Sequence, residues 1–246
     1  MLTLAIDTSN TLGSIALLRG EVVLAERVLQ LGQAHGQSLI PGLQQLFNEQ
    51  QLRPNQCELI AVGVGPGSFT GLRVGIVCAK TWAYATGCPL VGVSTFAAIA
   101  GNAPARIGNL QVIADAQRGD LFAQGFHREA SDWTPDTSIR ILPATTWKSE
   151  LALDAAVIGP GIPKVSDLVG PECHLLSVES NLPLAAWIGR LGVREAIAGR
   201  FSDPWKLEPL YLRRSSAEDT WDARAAARKS VAAAPCSSTG PATSLP

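Results

Sequence analysis

The sequence predicts an α/β protein made of two diverged copies of one strand–strand–strand–helix–strand unit, with a cleft between two similar lobes. Two echoes carry this expectation. The apolar run that ends in a carboxylate at Asp7 is repeated by a run ending at Asp115. The strand-then-turn sequence Val64-Gly65-Pro66-Gly67 is repeated by Ile158-Gly159-Pro160-Gly161. Composition supports a folded chain. Of 246 residues, 46% are hydrophobic and 17% charged, which excludes disorder over most of the length. A formal net charge of −1 disfavours a stand-alone nucleic-acid binder, which needs a basic surface.

Residues 2–7 read as a buried strand, 8–13 as a polar turn, and 14–19 and 22–28 as strands of an antiparallel meander joined by Gly20-Glu21. Leu39, Ile40, Leu43, Leu46 and Phe47 form a helical stripe, with Pro41 in the tolerant first turn. Residues 59–64 are a short apolar strand, 65–71 a glycine-rich loop, 70–86 a helix, 90–93 a strand and 95–100 a helix. In the second copy, 110–115 and 121–126 are strands, and no convincing first helix follows them. The expected division is an N-terminal lobe over 1–103, completed by about 184–214, a C-terminal lobe over 104–183, and a disordered tail over 215–246. No basic region and apolar stretch of signal-peptide length opens the chain, and no apolar run is long enough to span a membrane, so a soluble, intracellular protein is expected. Five cysteines without a Cys-x-x-Cys pair imply neither a disulfide framework nor a zinc ribbon.

Three stretches bear on function. Asp7-Thr8-Ser9 is a hydroxyl-rich turn with a carboxylate, suited either to holding a phosphate and its metal ion or to an ordinary hairpin turn. The loop Gly65-Pro66-Gly67-Ser68-Phe69-Thr70-Gly71 lies between a strand and a helix start, where bare backbone can approach a phosphate. It is not a P-loop, because Leu72 stands five residues after Gly67. It is not a nucleophile elbow, because Pro66 and Thr70 flank Ser68. The alternative is a tight turn with Ser68 or Thr70 as helix cap. Thirdly, the helix over 70–86 is apolar nearly all round, so both its sides need cover. Either two neighbours inside one domain supply it, or one side packs on the sheet and the other on a partner protein, with Gly71 and Gly75 admitting a close helix. Of the three histidines, His35 would need a second at position 39 to form a metal pair, and that residue is Leu39.

The opening Leu4-Ala5-Ile6-Asp7-Thr8-Ser9, the loop with its following Arg73, the strand Val91-Gly92-Val93-Ser94-Thr95, the turn Asp115-Ala116-Gln117-Arg118-Gly119 and the closing Tyr211-Leu212-Arg213 together resemble the TsaB (YeaZ) family of the bacterial tRNA threonylcarbamoyladenosine machinery. The resemblance covers roughly residues 1–214. It implies the actin/Hsp70/sugar-kinase fold, two ribonuclease-H-like lobes with the second degenerate. It implies a non-catalytic cytoplasmic scaffold that pairs with the enzyme TsaD, on which the ATPase TsaE docks, and that forms a homodimer through the same face when alone. Threonylcarbamoylation of adenosine 37 would occur in TsaD, with tRNA met mainly through the complex. ATP and a metal ion are then expected in the partner subunits and none held tightly by this chain. The partner face implied comprises Leu39, Leu43, Leu72, Val74, Gly75, Ile76, Cys78, Ala79 and Trp82. The stripe of Leu39 and Leu43 either adds to that face or packs on the sheet. A charge at Val77 or Ile76 is expected to abolish pairing and leave the fold intact. The competing reading is an ATP-dependent phosphotransferase or ATPase that uses Asp7, Thr8, Ser9, Gly65, Gly67 and Ser68 around a nucleotide phosphate. A peptidase built on Ser68 or His35 has neither a metal pair nor a nucleophile set to support it.

Overall fold

The computed structural model describes residues 1–30, 37–152, 154–177 and 185–213. His35 and the tail 215–246 lie outside the described residues. Met1–Leu212 form one compact unit. Its first sheet contains β1 (Leu2–Asp7), β2 (Leu12–Arg19), β3 (Val22–Gln30), β4 (Leu59–Gly65) and β5 (Leu90–Ser94). They lie in the order β3-β2-β1-β4-β5. β1 pairs antiparallel with β2 and parallel with β4. β1 is buried along its whole length, which is why it reads as an unbroken apolar run and not as an alternation.

Helices cover both faces of this sheet. On one face, α1 (Leu39–Glu49) and α2 (Phe69–Thr86) bury Leu39, Leu43, Leu46, Phe47, Ile76 and Ala79 against Leu4, Ile6, Ile60 and Val62. Ser68 caps α2 by accepting from the Gly71 amide at 3.2 Å, and left-handed Gly87 ends it. On the other face, α3 (Thr95–Gly101) and α5 (Ala185–Ile197) bury Ala98, Ala185, Ile188 and Val193 against Ala5, Leu18, Ala61 and Val93. Small residues in both layers let α5 lie close to the strands.

The second sheet repeats the first. β6 (Asn109–Asp115) pairs antiparallel with β7 (Asp120–Glu129) and parallel with β10 (Ala156–Ile158), which pairs parallel with β11 (His174–Leu175). The third-strand position is shared: β8 (Asp132–Pro135) pairs with one half of β7 and β9 (Arg140–Pro143) with the other. The order is again third, second, first, fourth, fifth, the ribonuclease-H-like arrangement. The Gly-Pro-Gly echo has a backbone cause. Gly65 and Gly159 end the fourth strand of each copy at φ +110° and +121°, a region that disfavours side chains.

The second copy corrects one expectation. A short first helix is present: α4 (Ala144–Glu150), seven residues with Trp147 buried. The element that has shrunk is the second helix. Where α2 runs for 18 residues in the first copy, a three-residue 3-10 turn, Ile162–Lys164, follows Gly161 in the second. α5 is the other helix that the sequence pattern did not single out. Cys57, Cys78, Cys88 and Cys173 are free thiols, and among the described residues no helix is long and apolar enough to cross a membrane.

The close seating of α5 is testable. A Cβ on Gly192 would lie 2.5 Å from the Ala61 Cβ on β4, and neither group can rotate away. Gly192→Val should cost about 3 kcal/mol in urea unfolding with an unchanged m-value. A variant as stable as the parent would show that α5 does not seat there.

Candidate functional site

The turn after β1 and the loop after β4 do come together, but as packing partners. The Thr8 hydroxyl donates to the Gly71 carbonyl at 2.7 Å, and the Ser68 amide donates to the Ser9 carbonyl at 2.6 Å. The Gly65 amide donates to the Thr95 hydroxyl at 3.1 Å. A Cβ at Gly67 or Gly71 would overlap the carbonyl of Ser9 or Thr8, and one at Gly75 would overlap the Thr8 hydroxyl. Three bare positions therefore let the loop and the start of α2 settle directly onto the turn. Asp7 and Thr8 have no exposed surface, and Ser9 has almost none.

The structure thus brings Asp7, Thr8, Ser9, Gly65, Gly67 and Ser68, the candidate phosphate cradle, together in direct contact. Gly67 and Ser68 remain at or near the surface, yet their backbone closes over the turn. The hydroxyl of Thr8 and the amide of Ser68 are engaged with each other's segments. Nor does Asp7 gain ligand company: among the described residues no group of three or more His, Cys, Asp or Glu converges as a metal site. Its Oδ2 accepts from the Ser9 hydroxyl at 3.1 Å, and its Oδ1 accepts no hydrogen bond among the described residues and faces the bare Gly63. Burial pushes the carboxyl up from 3.8 to about 7. In the second copy, Asp115 is partly exposed instead, and Lys164 pairs with it at 2.6 Å.

A groove of about 730 Å³ lies open on the outer side of α2, walled by α1. Leu39, Ile40, Val74, Val77, Trp82 and Ala85 line it. Trp82 stacks on Phe47 with ring centroids 5.4 Å apart, which fixes one wall. Cys78 also lines the groove, and burial pushes its thiol up to about 11, which keeps it uncharged at neutral pH.

The groove divides the expected partner face. Val74, Cys78 and Trp82 are accessible on it, and Leu39 lines it while being almost wholly buried. Leu43, Leu72, Gly75, Ile76 and Ala79 point into this chain's own core and offer a partner nothing. The reason is the spacing Gly71, Gly75, Ala79, Ala83. Small residues four apart mark the side of a helix that approaches its sheet closely. Gly71 and Gly75 thus admit the Thr8 turn, not another helix. The opposite side is the outward one; it carries Val77, where the sequence already placed a pairing-sensitive position, and adds Thr81 and Ala85, while α1 adds Ile40.

Two sheets of ribonuclease-H-like order, with helices on both faces of the first and a reduced second lobe, define the actin/Hsp70/sugar-kinase fold class. A family model for tRNA N6-adenosine threonylcarbamoyltransferase (TsaD) matches residues 24–135. The Bacillus subtilis tRNA threonylcarbamoyladenosine biosynthesis protein TsaB is 29% identical over 228 residues, 90% of this chain and 98% of that one. An uncharacterised Mycobacterium tuberculosis protein is 30% identical over 87% of this chain and 93% of its own. The solved structure of YeaZ from Pseudomonas aeruginosa superimposes with a TM-score of 0.74 at 27% identity, covering 86% of this chain and 99% of that one. The chain belongs to the TsaB (YeaZ) family.

Asp7 gives the closed turn a pH signature. The carboxyl titrates near 3.8 in the unfolded chain and near 7 when folded, so the folded state holds the extra proton between those values. Stability therefore falls as pH rises through this window, by up to about 4 kcal/mol. Asp7→Asn should flatten that fall and leave the variant more stable than the parent above neutral pH. Urea unfolding across the window checks it, and a parallel pH dependence in both proteins would refute a buried carboxyl without a cationic partner.

Proposed function

We propose that this chain is a non-catalytic, cytoplasmic scaffold in tRNA threonylcarbamoyladenosine biosynthesis, and that it acts by pairing with the threonylcarbamoyltransferase subunit TsaD. Family membership supports the pathway. The observation that carries the mode of action is the apolar groove on the outer face of α2, open on a lobe whose own turn is closed. Val77 on its rim is 61% exposed and Ile40 is 59% exposed, large apolar side chains that a helix from another protein would cover. In this reading the partner helix lies along α2 and holds the transferase in its working conformation. TsaE docks on the pair. The same face serves self-association when the partner is missing. ATP and metal chemistry belong to the partner subunits, and the net charge of −1 fits tRNA contact made mainly by them. The phosphotransferase alternative needs Asp7, Thr8 and the following loop open to a nucleotide phosphate, and they are closed on one another.

Exposure separates two substitutions that the sequence treated alike. Val77→Asp places a charge in the groove and leaves the core untouched. It should weaken pairing with the same organism's TsaD by about 100-fold or more at an unchanged melting temperature. Ile76 is 2% exposed, so Ile76→Asp should unfold the protein instead of testing the interface. Calorimetric titration of each variant with TsaD is the check, and a Val77→Asp protein that pairs like the parent would move the interface elsewhere.

A further inference from the structure

One end of the groove carries a cation held in a fixed orientation. Arg73, in the second turn of α2, lines the groove and is the only charged residue among its described lining. Its guanidinium stacks over the Phe69 ring, 3.9 Å from the centroid, and its Nε donates to the Tyr211 hydroxyl at 2.7 Å. The Phe69 and Tyr211 rings pack together with centroids 4.9 Å apart. This leaves the two terminal nitrogens with no hydrogen bond or ion pair among the described residues, their plane set by the two rings. A planar fork presented in this way matches a carboxylate in two parallel hydrogen bonds, and its orientation is established before anything binds.

The two helices that wall the groove offer a second copy of this chain no free carboxylate among the described residues. α2 contains Arg73 and Lys80 and no acidic residue. The one acid of α1, Glu49, is already tied to Arg27 at 2.7 Å and to the Gln45 amide at 3.0 Å. Two copies that met through α1 and α2 alone would cover apolar surface and bring no carboxylate from these helices to either guanidinium. Resting on the groove reading above, we propose that the groove discriminates between partners through Arg73: it is built for a helix of a different protein that carries a carboxylate at that end, and it accepts a second copy of this chain less well. Phe69 contributes the stacking surface and Tyr211 acts as a positioning residue.

Calorimetric titration with TsaD from the same organism, at low and at high salt, tests this alongside sedimentation equilibrium of each variant alone. Arg73→Gln should weaken the heterologous pair by about 10- to 100-fold and flatten its salt dependence. Arg73→Lys, which keeps the charge and loses the fork, should weaken it by about tenfold. Tyr211→Phe should weaken it by about three- to fivefold with the ring packing retained. None of the three should alter self-association or the melting temperature. Heterologous pairing that survives Arg73→Gln while Val77→Asp abolishes it would overturn the carboxylate anchor and leave the groove standing. Equal weakening of self-association and heterologous pairing would overturn the discrimination. Pairing that survives Val77→Asp as well would show that the groove reading itself has failed.

Discussion

The rest of the structure hangs on the contact between the start of α2 and the turn at Thr8. A helix of 18 residues rests its first two turns on a polar turn, with bare Cα atoms at Gly71 and Gly75 against the Thr8 backbone and hydroxyl. That contact uses the Thr8 hydroxyl, buries the Asp7 carboxylate and sets the rotation of α2 about its axis. With the small residues turned inward, Val74, Val77 and Trp82 are left on the outward side. Closing one site and opening the groove are thus two consequences of one packing choice.

The second lobe shows what the fold looks like without that choice. Its strand order and its left-handed glycine after the fourth strand match the first lobe, but a single 3-10 turn replaces the long helix. Asp115 occupies the place of Asp7 and is partly exposed, with Lys164 as its partner and the Gln117 amide donating to it at 2.6 Å. Burial without a cationic partner and exposure with one give two carboxylates at matching positions very different surroundings. The long helix of the first lobe makes the difference, and it brings the outward apolar face with it.

Much of the fold was legible in the residues. The two Asp-terminated strands and the two Gly-Pro-Gly turns reported the duplication because each marks a backbone requirement: a buried first strand, and a positive φ after the fourth. The helical stripe at Leu39, Leu43, Leu46 and Phe47 reported an inward face. The state of the Asp7 turn was not legible. It depends on hydrogen bonds between segments more than sixty residues apart and on the absence of Cβ atoms at their meeting point. The two faces of α2 were blurred for a different reason. Both are apolar, so hydrophobic periodicity could not separate them, whereas the row of small residues Gly71, Gly75, Ala79 and Ala83 marks the line along which α2 meets the sheet. Arg73 escaped as a site residue because its significance comes from Phe69 and Tyr211, and the latter arrives from the far end of the folded unit.

Hydroxyl-radical footprinting of the protein alone, with MgATP and with TsaD from the same organism tests most directly whether the outer face of α2, and not the Asp7 turn, is the binding surface. Protection of Ile40, Val77 and Trp82 on mixing with TsaD, and an unchanged pattern with MgATP, is the result that a closed turn and an open groove require. Protection around Ser68 by MgATP, with the α2 face still fully reactive beside TsaD, would contradict it.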